Sequence, residues 1–297
     1  MTSHGNTLDN GDRPGPVSLY VHVPFCVLKC DYCDFHSSVL SSSEPDMPSH
    51  FVWAIEDAAE HWAALGVLED VPSVYFGGGT PTTLGNGLAD AVRHLRGLQG
   101  VRSGAEITVE TNPDTTDPAL VETLLAAGVT RFSVGVQSFD EEVLRTLGRC
   151  HDATTAERVV RNLVSTGARV SLDLMCGVPG QSLDSWRDTL DRAIATGVGH
   201  VSVYPLTIEE STPIAAHVSA ERLAPPDPDT AAQMMLLADE AFAAAGLDRY
   251  EVASFARAGE QCVHNLGYWT GRAYLGLGPA ASSMLPAETF RVVSDHW

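Results

Sequence analysis

Three cysteines stand within eight residues, at Cys26, Cys30 and Cys33, just after an apolar run from Val17 to Val23. Thiolates are soft ligands that suit iron–sulfur clusters, zinc or Cu(I). Three are one short of the four that usually hold a cluster. A cluster held by three thiolates keeps one iron open to a ligand from outside the protein. The same open-position logic separates catalytic from structural zinc sites. His36 follows Cys33 by three residues, so spacing alone also leaves a Cys3His zinc knuckle open. A disulfide fits less well, because three clustered thiols leave one unpaired.

Other polar groups recur where short apolar runs end. Gly77-Gly78-Gly79-Thr80-Pro81 follows one such run. Consecutive glycines let a ligand approach the backbone and tolerate positive φ. No Gly-Lys-Ser/Thr follows, so this is not a phosphate-binding P-loop. Glu110-Thr111-Asn112-Pro113 and Gly135-Val136-Gln137-Ser138 end the next two runs, and Asp173 lies inside Leu172-Asp173-Leu174. A carboxylate within an apolar strand is costly unless it is paired or bound to a ligand. Taken singly, Glu110 and Asp173 read equally well as structural hydrogen-bond hubs. Together at successive strand ends, such residues would line one mouth and fix a polar small molecule, such as a ribose or an amino acid moiety.

The elements that must position these groups alternate regularly. Apolar, β-branched runs at 18–23, 73–76, 106–111, 131–136, 170–175 and 200–206 read as strands. Amphipathic runs at 51–65, 88–98, 118–127, 154–166 and 183–196 read as helices, with Gly128, Gly167 and Gly197 at their ends. Six strand–helix units mean an α/β protein with a parallel sheet and helices outside. A doubly wound sheet and an incomplete (β/α) barrel both fit, and both place chemistry at the C-terminal strand ends. Residues 209–230 form a Pro-rich excursion, 231–245 a further helix and 249–254 a further short strand. Residues 262–297 are rich in Gly and aromatics and show no clear periodicity. The expected organisation is a flexible arm over 1–16, a barrel over 17–255 and a C-terminal extension over 256–297.

The chain has 297 residues, 44% apolar and 19% charged, enough for one large α/β domain with or without an appendage. A net charge of −20 argues against a nucleic-acid groove or an anionic membrane surface and reads most simply as solubility. Residues 1–15 show neither the basic nor the apolar segment of a signal peptide. No run approaches the length of a transmembrane helix. Six cysteines, three of them clustered, fit a reducing compartment, so a cytoplasmic protein is expected.

The Cys-x3-Cys-x2-Cys loop after the first strand, followed by Gly-Gly-Gly-Thr-Pro, resembles the radical S-adenosylmethionine (SAM) superfamily. The fuller set is similar to its coproporphyrinogen-oxidase-like branch: Tyr20-Val-His-Val-Pro-Phe-Cys26, Glu110-Thr-Asn-Pro, Gly135-Val-Gln-Ser-Phe139, Leu147-Gly-Arg149 and Asp173-Leu-Met-Cys-Gly-Val-Pro179. The likeness runs from about residue 18 to residue 279. It implies an incomplete (β/α)6-type barrel with a [4Fe-4S] cluster on Cys26, Cys30 and Cys33. SAM would chelate the open iron through its amino and carboxylate groups. Reduction of the cluster by an electron donor would break a carbon–sulfur bond and give a 5′-deoxyadenosyl radical. By the same likeness Tyr20, Tyr32, Gly78, Gly79, Thr80, Glu110, Gln137, Arg149 and Asp173 contact SAM.

Three relatives share these motifs. Oxygen-independent coproporphyrinogen III dehydrogenases carry a further cysteine where this chain has Phe35, and a longer arm than the 25 residues before Cys26. HemN-like methyltransferases and cyclopropanases share cluster and barrel. Haem chaperones of the HemW type share Cys33-Asp34-Phe35 and a His-Asn-x-x-Tyr-Trp block, here His264-Asn265-Leu-Gly-Tyr268-Trp269. Taken alone, His264 reads as a satisfied core histidine and the aromatics as packing. With the block intact, the resemblance implies haem binding by His264, Asn265, Tyr268 and Trp269, with Cys262 a further contact. It implies delivery of haem to acceptor proteins. Two departures fall in the substrate-facing part. Ser282 stands where relatives have a histidine, and the family's C-terminal domain is expected to be missing after Trp297.

Overall fold

The computed structural model describes residues 15–41, 43–287 and 289. The arm expected over 1–16 lies outside them except for its last two residues, as does most of the chain after 287.

Six parallel strands form the body of one sheet: β1 (Val17–Val23), β2 (Val71–Gly78), β3 (Val101–Thr111), β4 (Arg131–Gln137), β5 (Arg169–Cys176) and β6 (His200–Pro205). Each pairs with the next in chain order. The crossovers are helices α1 (Met47–Ala64), α2 (Asn86–Gly97), α3 (Pro118–Ala127), α4 (Ala153–Ser165) and α5 (Leu183–Ala195). Their starts are written locally. Asp117 accepts from the amides of Ala119 and Leu120, Asp152 from Thr155, and Ser182 from Ser185. These caps satisfy amides that a helix leaves free at its first turn. Helix α3 stops at Gly128, whose φ of 109° only glycine adopts readily.

The strands alternate strictly. Leu19, Val21, Val74, Phe76, Ile107, Val109, Phe132, Val134, Leu172 and Val203 face the helices and join one apolar core. Their neighbours Tyr20, Tyr75, Thr108, Glu110, Ser133, Asp173, Ser202 and Tyr204 face a cavity instead. A doubly wound sheet is apolar on both faces, whereas a barrel turns alternate side chains inward. The two-residue period therefore selects the barrel.

The expected short strand at 249–254 is two pieces, β7 (Asp248–Arg249) and β8 (Ser254–Ala256), because the chain turns between them. β8 runs antiparallel to β6. The Pro-rich excursion holds a short helix, Pro213–Ser219, ahead of α6 (Pro228–Ala244). The stretch expected to lack periodicity holds helix α7 (Val263–Trp269) and strand β9 (Ala273–Leu277). β9 pairs in parallel with the free edge of β1. The full order is β9-β1-β2-β3-β4-β5-β6-β8-β7, with its ends unpaired among the described residues, so the barrel stays open. The extension thus shares the barrel's own sheet.

Helix α7 is tied to the barrel through Glu106, whose carboxylate pairs with both Arg131 and Arg169. Arg131, fully buried, donates from Nε to Glu106 Oε2 at 2.9 Å and from Nη2 to the Glu260 carbonyl at 2.8 Å. Glu106 Oε1 in turn accepts from the Val263 amide at 2.7 Å, at the start of α7. Glu106 and Arg131 neutralise each other where either alone would be prohibitive.

Candidate functional site

The cysteine loop is pinned to the glycine run. The Gly79 amide donates to the Val23 carbonyl at 2.7 Å and the Thr80 amide to Phe25 O at 2.6 Å. A Cβ on Gly79 would lie 2.5 Å from Phe25 O and 2.9 Å from Val23 O, so only glycine lets the loops touch. Phe25–Cys26 pairs with Ser38–Val39, which closes the base of the loop. Asp31 is held at both backbone groups, its amide on Leu147 O at 3.1 Å and its carbonyl on the Ile214 amide at 2.9 Å.

This loop covers a cavity of about 590 Å³ at the C-terminal strand ends. Cys26, Cys30 and Cys33 line it together with Tyr32, Gly78, Gly79, Thr80, Glu110, Gln137, Arg149 and Asp173. Eight of the nine residues expected at a SAM site therefore share one cavity. The ninth, Tyr20, opens onto an adjoining crevice of about 380 Å³ that Gly78 and Glu110 also line.

Arg149 ties the parts together. It donates to Cys30 Sγ at 3.2 Å, to Asn112 Oδ1 at 2.6 Å and to the Gly135 carbonyl at 2.7 Å. Asn112 donates onward to Thr80 Oγ1 at 2.9 Å, and the Thr80 hydroxyl lies 3.8 Å from Cys26 Sγ. Two of the three sulfurs thus face hydrogen-bond donors, as thiolates require. Gln137 takes a φ of 65° at an irregularity in the β4–β5 ladder. A non-glycine residue held there stores strain, which is common at ligand sites.

Two carboxyls face the cavity from inside the barrel. Glu110 accepts from Tyr75 OH at 2.8 Å and from the Gly78 amide at 3.2 Å. Asp173 accepts from Ser133 at 3.1 Å. Burial, then the charge of Asp173, pushes Glu110 up to about 7. Burial pushes Asp173 up to about 6, opposed by the hydroxyls of Ser133 and Ser202 and by Arg149. Both carboxyls line the cavity, so a cationic ligand there would favour their charged forms. Burial, then Cys30 and Cys26, raises the Cys33 thiol, opposed by the Phe35 amide. The three thiols repel one another as anions, a repulsion that a bound cation would relieve. Among the described residues no three His, Cys, Asp or Glu side chains converge on a single ion. A cluster asks less convergence, because each thiolate takes its own iron. The donor set and the cavity fit a cluster.

Asn112, Tyr75, Ser133 and Ser202 belong to this site and were not singled out from sequence. Asn112 sits inside a motif already quoted. The others carry the signal of the two-residue alternation on the inner face.

The His-Asn-x-x-Tyr-Trp block is α7. His264 is 2% exposed. Its Nδ1 donates to Ser73 Oγ at 3.1 Å, since that hydroxyl itself donates to Ser18, and its Nε2 accepts from Tyr268 OH at 3.0 Å. The ring packs 5.0 Å from that of Tyr75, and burial, then Arg272, lowers it to about 3. Both ring nitrogens are hydrogen-bonded in this arrangement. Cys262 also faces inward, 3.4 Å from Glu106 Oε1, and burial pushes it up to about 12. Asn265 donates to Tyr250 OH at 3.0 Å. Tyr268 and Trp269 remain 41% and 56% exposed.

An open barrel with a three-cysteine loop over its mouth defines a class, and the comparisons agree. Residues 20–193 match the model of the radical SAM superfamily, to which the chain belongs. Within it the chain belongs to the HemW family. It is 40% identical over 271 residues to the heme chaperone HemW of Mycobacterium tuberculosis, covering 90% of this chain and 70% of that protein. It is 37% identical over 280 residues to heme chaperone HemW of Escherichia coli, covering 94% and 72%. The radical SAM enzyme coproporphyrinogen III oxidase (HemN) of Escherichia coli superposes with a TM-score of 0.78 at 26% identity, over 92% of this chain and 65% of that one. Among the described residues no helix is long and apolar enough to cross a membrane.

Proposed function

We propose that this protein is a haem chaperone of the radical SAM type, which binds haem and delivers it to acceptor proteins. The observation that carries the reading is 40% identity to a heme chaperone across 90% of the chain.

Cys26, Cys30 and Cys33 would hold a [4Fe-4S] cluster, and Tyr20, Tyr32, Gly78, Gly79, Thr80, Glu110, Gln137, Arg149 and Asp173 would surround SAM. When bound, these two groups supply one-electron chemistry at the barrel mouth. The chain's own residues prepare the place. Arg149 supplies positive charge beside Cys30 and fixes Asn112. Glu110 and Asp173, raised by burial to about 7 and about 6, are placed to take an ammonium or ribose hydroxyls. Gly79 lets the cysteine loop close over the cavity. Haem would lie against Tyr268 and Trp269, the exposed aromatics of α7. Barrel and extension act as one unit in this reading, since β9 belongs to the barrel sheet.

The test is haem transfer. Reconstituted, haem-loaded protein is mixed anaerobically with an excess of an apo haem protein, and the two are separated. Haem recovered on the acceptor, with SAM and tetrapyrrole unmodified, is the expected result. A methylated or decarboxylated product, with haem left behind, would make the protein a radical enzyme. That second reading draws on the superposition with coproporphyrinogen III oxidase.

A further inference from the structure

The bend that carries Gln137 into the cluster cavity is held from outside that cavity. In the β4–β5 ladder Gly135 pairs with Asp173 and Gln137 with Leu174, so Val136 is skipped. Such bulges re-aim side chains beside active sites. The Ser138 amide donates back to the Val136 carbonyl at 2.8 Å, around Gln137 with its φ of 65°. A three-residue turn with positive φ at its centre is the rare, strained kind. Positive φ is unfavourable for a residue with a Cβ and persists only where the surroundings over-determine it. Gln137 lines the cavity, so whatever holds this turn also holds its amide there.

We propose that His151 is a positioning residue of the SAM site, which clamps this strained turn and so keeps Gln137 facing SAM. The inference rests on the reading that SAM occupies the cavity. His151 is buried, and its Nε2 lies 3.1 Å from the Val136 carbonyl. A carbonyl only accepts, so Nε2 carries the hydrogen and donates. The one oxygen thus takes two donors, the Ser138 amide and the imidazole. Among the described residues Nδ1 makes no hydrogen bond, and it lies 3.8 Å from Asp114 Oδ1. Burial acts to raise Asp114, yet His151, its own amide and Arg149 hold it below the ordinary carboxylate range. Asp114 sits in the turn after β3, where the Thr115 amide donates to the Asn112 carbonyl at 3.0 Å. The ring therefore spans the ends of β3 and β4.

Arg149 and His151 divide the task. Two residues apart, they hold the successive carbonyls of Gly135 and Val136. Arg149 also reaches Cys30 and lines the cavity. His151 does not line it, so its effect on SAM passes through the backbone of Gln137. Without the imidazole, the turn keeps only its own short bond, and Gln137 can relax to an ordinary φ that carries its amide away from the cavity.

The experiment compares SAM binding by the anaerobically reconstituted chain as wild type, His151→Asn, His151→Gln, Gln137→Gly and the double variant Gln137→Gly with His151→Asn. Labelled SAM is titrated by equilibrium dialysis, cluster content is read from iron and sulfide, and stability from thermal unfolding. A glutamine amide nitrogen can stand where Nε2 does, whereas that of asparagine falls short, so only glutamine keeps the Val136 bond. His151→Asn should keep the cluster and weaken SAM binding about tenfold, the scale of one strained backbone residue set free. His151→Gln should recover most of that affinity. Glycine takes positive φ without strain, so adding His151→Asn to Gln137→Gly should weaken binding little further. Should His151→Asn lose its cluster, Gln137→Gly must restore it in the double variant, and failure to do so overturns the clamp. Wild-type SAM affinity in His151→Asn, whatever its melting temperature, overturns the proposal and leaves His151 a purely structural residue. A loss that His151→Gln does not relieve, or that is undiminished in the Gln137→Gly background, overturns it as well. A wild type that carries the cluster and binds no SAM overturns the SAM reading and the clamp with it.

Discussion

The guanidinium of Arg149 lies 3.2 Å from the sulfur of Cys30, with its other nitrogen shared between Asn112 Oδ1 and the Gly135 carbonyl. One side chain thus links the cysteine loop to the ends of β3 and β4. Arg149→Met removes the charge beside Cys30 and strands two buried acceptors. Unsatisfied buried groups cost about 1–3 kcal/mol each. Arg149→Met should lower unfolding stability by about 2–4 kcal/mol on that basis, measured by denaturant titration. It should also weaken SAM binding. Unchanged stability and SAM affinity would remove Arg149 from the site.

Glu110 and Asp173 predict an unusual pH dependence. Their folded values, about 7 and about 6, lie above those of free carboxyls. The folded state therefore binds more protons than the unfolded one between about pH 4 and 7. Their contribution to stability is full below the unfolded values and is lost as pH rises through the folded ones. Without SAM, the protein should lose stability between pH 5 and pH 8. Glu110→Gln should flatten that slope and weaken SAM binding, as thermal unfolding across this range would show.

The Glu106–Arg131 pair predicts how the extension is held. Glu106→Gln leaves Arg131 buried without its counter-charge, a loss of about 3–5 kcal/mol. The melting temperature should fall by about 10 °C in a domain of this size. Limited proteolysis should then cut first around residues 257–264, where the amides of Val263 and His264 lose the Glu106 carboxylate. A variant that melts with the wild type would show that the extension is held elsewhere.

Gly79 and Gly97 make a paired prediction. A Cβ at Gly79 meets the carbonyls of Phe25 and Val23, whereas one at Gly97 meets nothing within 4 Å. Gly79→Ala should pull the cysteine loop off the glycine run and lower cluster content after reconstitution. Gly97→Ala, in a helix, should stabilise by about 0.5–1 kcal/mol. Iron and sulfide analysis of both variants checks the contrast.

Much of this was legible in the sequence, for physical reasons. Each crossover helix announced itself by its apolar spacing, and the cysteine, glycine and carboxylate motifs lay at strand ends, where parallel sheets expose them. The choice between barrel and doubly wound sheet was also there, in Tyr20, Tyr75, Thr108, Ser133 and Ser202 at every second position. It is seen only when the polar members of each strand are read together. The surroundings of His264 were not legible, because a histidine in a motif looks the same whether it binds metal or bridges two hydroxyls. One of its hydrogen-bond partners, Ser73, lies 191 residues away. Strand β9 was hidden because its pairing with β1 joins distant parts of the chain, which no local period records.

The most direct test of the account is the stoichiometry of haem on the reconstituted chain. Protein carrying the cluster is titrated anaerobically with haem and followed by absorbance to saturation. The account predicts one haem per chain, added without loss of the cluster's own absorbance. Haem that never saturates, or that saturates only as the cluster is lost, would contradict it.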